Sequence, residues 1–449
     1  MGVIKVSVVM AVYNAMPYLR QALDSVVGQT LKDIEIICVD DRSTDGSHEV
    51  LQEYAARDPR MTILQHTEET EGAAAARNMG LDVAKGEYLS ILDADDFFEL
   101  DMLEKAYDKA HAEKADVLVF DGWHYDNSFE VDYVGGQFME YRLLDDAFMS
   151  GPQPPDYFLA TAGMAWNKLF LRRFVEREGL RFLDCRHTDD MAFVYVALYA
   201  ARHCTVLNER LVHYRRFNEG QSAASVSWPE TGYKGPYQVK CQLVERGIYP
   251  PCRVAFVNFA VSFAVNKLLV MDDLSSFKSL FYELQEGYLE KLDAFAIADE
   301  EFQNREIVEY RDDIMSCTHD EFLFRHQASR KHGTDKKKEQ GFLLDLLRRC
   351  GKDRSRVAIY GAGQQGKRVF DIFRKYPMAG FHICAWADRN YGKIGFPVET
   401  PDAIRAVDPD CLIIAIKNKA ACQEARDELL GMGIDEEKLY FPFLEGSVL

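Results

Sequence analysis

An α/β fold is predicted for this chain, and three observations predict it. Between residues 5 and 120, short β-branched runs alternate with segments whose apolar residues recur at helical spacing, the pattern of a mostly parallel sheet covered by helices. After about Trp228 the pattern becomes wholly helical. From about residue 346 it returns to strand, glycine loop and helix. These changes divide the chain into an α/β domain over 1–230, a helical region and linker over 231–345, and a small α/β domain over 346–449.

The bulk properties agree with a folded protein of more than one domain. The chain has 449 residues, 47% of them hydrophobic and 28% charged, enough for sizeable cores. A net charge of -19 argues against broad electrostatic binding to nucleic acid or to an anionic membrane. Ten cysteines are scattered without a C-x-x-C pair, so reduced thiols in a cytosol are the simpler reading than a zinc ribbon or a disulfide framework. The first residues run straight into Val6-Ser7-Val8-Val9-Met10 and read as a buried strand rather than a signal peptide.

Taken in order, Lys5 to Val12 is that strand, and Tyr13 to Pro17 ends it with turn residues. Leu19, Leu23, Val26 and Val27 mark a helix, and Ile34 to Val39 a second strand. Asp40-Asp41-Arg42-Ser43-Thr44-Asp45-Gly46-Ser47 follows as a loop, then a helix from about His48 to Ala56. A third strand is expected over Met61–Gln65, a helix over Ala73–Ala84, and a fourth strand leading to Asp93. In such sheets ligands sit beyond the carboxyl ends of the strands, where Asp40, Asp41, Asp93 and Asp95 all fall. Asp93-Ala94-Asp95-Asp96 places three acids together, and a hard divalent cation with substrate phosphates would relieve their repulsion. The competing reading makes Asp95 and Asp96 the N-cap of a helix at Leu100–Ala110.

Four ordered motifs resemble those of the family 2 glycosyltransferases of GT-A fold: V-S-V-V-M-A-V-Y-N at 6–14, V-D-D-x-S-T-D-G-S at 39–47, A-R-N-M-G-L at 76–81 and G-E-Y-L-S-I-L-D-A-D-D at 86–96. The resemblance covers about the first half of the chain. It implies that Ala11, Tyr13 and Asp41 line a pocket for a base, usually uracil, with Asp40 beside them. It also implies that Arg77 contacts the nucleotide, and that Asp93 and Asp95 hold the ribose and a diphosphate bound to Mn2+ or Mg2+. Arg42 departs from the family, which commonly has Gly there, so either the turn is altered or the cation reaches the donor.

Further along, Asp116 to Phe120 is a strand and Gly151–Tyr157, with three prolines, an irregular loop. The step Asp189-Asp190-Met191-Ala192-Phe193 stands where the family carries E-D-x-x-F, which implies that Asp190 is the catalytic base at the start of a helix to Ala201. A plain helix N-cap is the alternative role for these acids. Thr205 to Arg216 reads as a strand pair, and the resemblance makes Arg215 and Ser222 phosphate contacts. His213 is an unassigned histidine there, more often structural than a metal ligand.

The run Val254–Met271 approaches bilayer-spanning length, but Asn258, Asn266 and Lys267 interrupt it, so a buried helix is expected. Gln327–Gln340, with its lysine run, reads as a linker. In the tail, Arg356–Tyr360 is a strand, Gly361-Ala362-Gly363-Gln364-Gln365-Gly366 a G-x-G-x-x-G, and Asp388 follows a second strand. That is a Rossmann-like pattern in which glycines let phosphate approach a helix N-terminus. Gly361, Gly363, Gly366 and Asp388 thus mark a second nucleotide site, with NAD(P) or another nucleotide as its ligand, or else the module is structural and joins copies of the chain.

The preferred function is metal-dependent, inverting transfer of a sugar from a UDP-sugar or related donor to a hydroxyl acceptor in surface polysaccharide or glycoconjugate synthesis. The expected partners are the nucleotide sugar and a saccharide or lipid-linked saccharide, with no nucleic acid. The expected location is the cytoplasm, with at most peripheral contact at the inner face of the membrane. Two alternatives stand beside it: a nucleotide-sugar oxidoreductase or epimerase driven by the tail, and a non-catalytic glycan or nucleotide-sugar binding protein.

Overall fold

A computed structural model of the 449-residue chain describes residues 3–68, 73–127, 131–133, 138–139, 156–183, 188–216, 235–271, 273–326, 342, 346, 355–375, 381–389 and 399–443. The chain divides into two compact units: Met1–Trp123, Gly136–Arg215 and Ser222–Ser329 form the first, and His124–Gly135, Arg216–Gln221 and Arg330–Leu449 the second. The proline-rich loop Gly151–Pro155, the linker 327–340 and Ser222 lie outside the described residues.

The strands β1 (Val6–Val12), β2 (Ile34–Asp40), β3 (Met61–Gln65) and β4 (Tyr88–Asp93) are parallel, with helices α1 (Leu19–Val27), α2 (Ser47–Ala55) and α3 (Ala74–Val83) between them. β1 and β2 are apolar almost throughout because helices leave neither face to water. The remaining strands are β5 (Phe97–Phe98), β6 (Val117–Asp126), β7 (Val131–Tyr133), β8 (Lys168–Leu171) and β9 (Cys204–Arg216). The sheet order is β3-β2-β1-β4-β8-β6-β9-β5, with β7 on β6. Beyond β4 the pairings β4–β8, β6–β8, β6–β7 and β5–β9 are antiparallel. β1 therefore lies between the two acid-bearing strands, Val12 opposite Asp40 and Ala11 opposite Asp93.

Two expectations change here. Thr205–Arg216 is not a strand pair but part of one 13-residue strand, β9. The N-cap reading of Asp95 and Asp96 fails: β5 intervenes, and helix α4 (Met102–Glu113) starts only at Met102, after Asp101.

Helices α5 (Tyr157–Ala160), α6 (Arg172–Glu178) and α7 (Asp189–Ala200) complete the sheet's cover. The middle helices Gly235–Glu245, Tyr249–Val270, Leu274–Glu283, Arg305–Ser316 and His319–Arg325 belong to the same hydrophobic core. The helical run that starts at Leu274 is broken at Gly287, whose φ is 123°. Tyr249–Val270 passes the length and hydropathy test for a membrane span, yet Phe256, Val257, Ala260, Val261, Ala264 and Val265 are buried.

The second unit carries a parallel four-stranded sheet, β11-β10-β12-β13, from β10 (Ser355–Tyr360), β11 (Phe381–Ala387), β12 (Cys411–Ile414) and β13 (Leu439–Tyr440). Its helices are Gln364–Lys375, Pro401–Val407 and Lys419–Gly431. Packing requires glycine at 366, where a Cβ would collide with the Gly361 carbonyl oxygen. Among the described residues the cysteines are free thiols.

Candidate active site

The carboxyl ends of β2 and β4, which flank β1, and the start of α7 carry the nominated acids. Asp40 closes β2, and its carboxylate folds the loop after it: Oδ1 accepts the Ser43 N–H at 3.1 Å and Oδ2 lies 2.9 Å from His48 Nδ1. Asp41 follows, with His66 Nδ1 at 2.9 Å and Arg42 Nε at 3.2 Å from Oδ1. Arg42 has a φ of 61°, the left-handed backbone that glycine would adopt without strain. Arg42 thus keeps the turn that the family builds with glycine and adds a cation against Asp41.

A second network ties this loop to the one after β1. Asn14 N–H donates to Ser43 Oγ and Ala15 N–H to Ser47 Oγ, while Met16 N–H reaches Asp45 Oδ2 at 2.9 Å. Although burial raises it, hydrogen bonds from Ser47 and the Met16 amide hold the Asp45 carboxyl below its ordinary value. Tyr13 projects from this cross-tied pair of loops and is 63% exposed, its ring open to stack on a planar ligand.

At the end of β4, Asp93 meets the residue that organises the site. Arg77, on α3, is buried and places one guanidinium nitrogen 2.6 Å from Asp93 Oδ1 and another 2.5 Å from Asp189 Oδ2, with the Phe182 ring 5.3 Å away. This fork joins two carboxylates 96 residues apart in the chain. Asp189 brings Asp190 with it as the first turn of α7. Burial and the adjacent Asp189 push the Asp190 carboxyl up to about 7, with Arg77 and the buried Lys168 pulling the other way. Asp189 also sits above the ordinary carboxylate range, through burial that the Arg77 charge only partly offsets.

Asp96 turns inward. It is fully buried and its Oδ1 accepts the Arg215 N–H at 2.7 Å, while Oδ2 has no hydrogen-bond partner among the described residues. Burial, then Asp95 and Asp93, raise its carboxyl well above the usual range, so the neutral acid suits this position. Arg215 is 2% exposed; its Nε donates to the Asp95 carbonyl at 2.6 Å and its side chain reaches Gln21 at 2.5 Å, with the Tyr18 ring 4.9 Å away. It braces the Asp93–Asp96 turn from within. His213 stacks on Phe97 at 4.2 Å and lies 3.1 Å from Glu99 Oε1, a packed structural histidine.

Among the described residues no group of three or more His, Cys, Asp or Glu side chains is arranged to hold an ion by itself. In the second unit, Asp388 Oδ2 accepts the Ala362 N–H at 2.7 Å and the Trp386 indole donates to the Gly361 carbonyl at 3.0 Å. Asp388, named for the second nucleotide site, is engaged in holding the glycine loop, and the NAD(P) reading finds no support.

Sequence reasoning placed Ala11, Tyr13, Asp40, Asp41, Arg77, Asp93 and Asp95 on β1, β2, α3, β4 and the loops that follow them, and Asp190 at a helix start. It missed the roles of Asn14, Ser43, Asp45 and Ser47 in tying the loops, and the burial of Lys168. The S-T-D-G-S stretch signalled the first group; nothing in local spacing signalled the last.

The family model of Glycosyl transferase family 2 matches residues 7–175. The glycosyltransferase GlyG of Streptococcus pneumoniae is 33% identical over 214 residues, 47% of this chain and 70% of that one. The putative glycosyltransferase EpsH of Bacillus subtilis is 32% identical over 219 residues, 47% of this chain and 60% of that one, so the match spans well under the full length of either. Among solved structures, Staphylococcus aureus TarS 1–349 in complex with UDP-GlcNAc superposes with a TM-score of 0.56 at 17% identity, covering 73% of this chain and 92% of that one, a likeness of fold. The four motifs, the sheet that carries them and these relatives together make the chain a member of glycosyl transferase family 2, a glycosyltransferase of GT-A fold.

Proposed function

We propose that this glycosyltransferase moves a sugar, with inversion, from a nucleotide-diphosphate donor of the UDP-sugar class to a hydroxyl acceptor, in the synthesis of a surface polysaccharide or glycoconjugate. The observation that carries it is the Arg77 fork, which holds the strand-end acid Asp93 and the helix-start acids Asp189 and Asp190 in one assembly. Donor-side and acceptor-side chemistry would then meet there.

In this reading Tyr13 stacks on the base, Asp41 accepts its imide N–H, and Asp40 shapes the loop that presents both. Ala11 leaves room where a larger side chain would fill the pocket floor. Asp190 takes the proton of the acceptor hydroxyl; that oxygen forms its bond to the anomeric carbon as the bond from that carbon to the diphosphate oxygen breaks. An Asp190 near pH 7 suits a base that must be deprotonated at rest and still accept a proton. Arg215 stays on the phosphate side through its charge beneath the turn; the phosphate contact assigned to Ser222 falls outside the described residues.

The donor set of Asp93 and Asp95 fits Mg2+ or Mn2+: two carboxylates on alternate residues at and just past a strand end, with no closed cage around them among the described residues, as hard cations adopt when phosphates complete the shell. Such an ion would neutralise charge on the departing diphosphate. The poly(ribitol-phosphate) beta-glucosyltransferase of Bacillus spizizenii, 36% identical over 117 residues and 26% of this chain, supports a cell-surface polymer as acceptor. A thermal-shift screen of nucleotide sugars with and without manganese tests the donor class: the correct donor raises the melting temperature by mass action. If no nucleotide diphosphate shifts the wild-type protein, the proposal fails.

A further inference from the structure

Asp41 and Arg42 open the loop after β2, and each leaves part of its hydrogen-bonding capacity unused. The Asp41 side chain is only 9% exposed, and its Oδ1 meets both His66 Nδ1, at 2.9 Å, and the Arg42 Nε–H, at 3.2 Å. His66 is anchored in turn, its backbone N–H donating to the Asp40 carbonyl at 2.9 Å. With Oδ1 held from two sides the carboxylate does not swing. Its Oδ2 accepts no hydrogen bond among the described residues. A carboxylate oxygen buried to this degree without a donor is costly, and a ligand N–H would remove the cost.

Arg42 stands beside it at a conformational cost. Its φ of 61° is left-handed backbone, which strains a residue with a Cβ and which glycine adopts freely. Arg42 uses Nε alone on Asp41; its two Nη amino groups make no hydrogen bond among the described residues, and its side chain is 36% exposed. Two ties locate it against Tyr13. The Asp41 N–H donates to the Val12 carbonyl at 2.8 Å, and the Asn14 N–H to Ser43 Oγ at 3.1 Å. Tyr13 and Arg42 are therefore the middle residues of two segments joined at both ends. One cluster thus offers an aromatic ring, a carboxylate oxygen and, on the residue next to that oxygen, unused guanidinium donors.

We propose that Arg42 reads the base of the donor: Asp41 Oδ2 accepts the imide N–H, and an Arg42 amino group donates to the ring carbonyl beside it. The proposal rests on the reading of Asp41 as the base contact. An acceptor next to a donor matches uracil, whose N3–H is flanked by carbonyl oxygens. Cytosine presents the reverse, a bare ring nitrogen beside an amino group, which sets lone pair against lone pair at Asp41 and N–H against N–H at Arg42. UDP and CDP share ribose, diphosphate and ring size, so the preference between them isolates this edge.

Calorimetric titration of UDP and CDP, with manganese present, into wild type and R42G is the test. Glycine suits the left-handed backbone and removes the guanidinium; R42N, which tolerates the same backbone, is the second variant. Wild type should hold UDP about a hundredfold tighter than CDP. R42G should weaken UDP about tenfold, the scale of one hydrogen bond from a charged group, and leave CDP unchanged or tighter. Titrations of 2-thio-UDP and 4-thio-UDP separate base reading from mere support of Asp41. Sulfur is a weak acceptor, so one of the two analogues should bind wild type less well than UDP does, and that penalty should vanish in R42G. Equal weakening of UDP and CDP puts Arg42 on the diphosphate and overturns the proposal. An unchanged preference, a thio penalty as large in R42G as in wild type, or loss of fold in both variants overturns it too. If neither nucleotide binds wild type, the donor reading itself is at fault; if UDP binds and its preference survives in R42G, only the role of Arg42 fails.

Discussion

Replacing Arg77 with Met should cost about 3–5 kcal/mol at pH 8, the loss typical when one partner of a buried ion pair is removed. The guanidinium bonds Asp93 at 2.6 Å and Asp189 at 2.5 Å. The side chain of Asp93 is 31% exposed and that of Asp189 only 13%, so solvent screens the first bond more and most of the loss belongs to the second. The sign of the pH dependence follows. Asp189 lies above its ordinary value, so the folded chain binds a proton that the unfolded chain has released, and this contribution grows as pH falls. Removal of Arg77 raises the carboxyl further. The penalty is therefore full above the new value and fades as pH drops through it. Urea denaturation at pH 8 and pH 5 reads both numbers. R77K, with one point charge instead of a fork, should recover about half. A loss under about 1 kcal/mol, the scale of an exposed pair, or an equal loss at both pH values refutes the account of Arg77 as the clamp of the site.

Asp190→Asn should lower kcat by about 10²–10⁴ while the donor KM changes little, as general-base removal does; steady-state kinetics with a matched donor and acceptor show it. Asp95→Ala should abolish the manganese-dependent part of the thermal shift produced by UDP, which calorimetry of the same mixtures checks independently. The wild-type rate should climb on an acidic limb centred near pH 7, since Asp190 must be deprotonated and is raised to about 7; a limb near 4 contradicts the burial argument. Gly366→Ala forces a Cβ against the Gly361 carbonyl and should destabilise the second unit by at least about 1–3 kcal/mol, seen as faster amide exchange across residues 355–375.

The first α/β stretch was legible because its signals are local. Val6–Val12 and Ile34–Val39 are apolar runs bounded by turn residues, and periodicity needs nothing from the rest of the chain to be read. The strand ends then place Asp40 and Asp93 without further argument. Arg77 was legible as a site residue but not as a clamp, because its partners lie 16 and 112 positions away. Asp96 shows the same limit: as the third acid of a polar turn it looked like a helix cap, and only tertiary packing brings Arg215 to it. Thr205–Arg216 read as two strands because Asn208-Glu209-Arg210 interrupts it with polar residues. In the structure Asn208 and Glu209 are simply the exposed part of one long strand.

β1 bears no ionisable side chain between Val6 and Val12, yet it acts as the ruler of the proposed donor site. Neighbouring strands stand about 4.8 Å apart, and β1 lies alone between β2 and β4, so the acids on its two flanks are held about 10 Å from each other. A nucleoside laid across the strand ends can then be gripped at its base by one flank and at its sugar by the other. Under the proposed function, the length of donor the enzyme accepts is written in a strand that need never touch a charge, and substitutions that thicken or tilt β1 should change donor choice before they change chemistry.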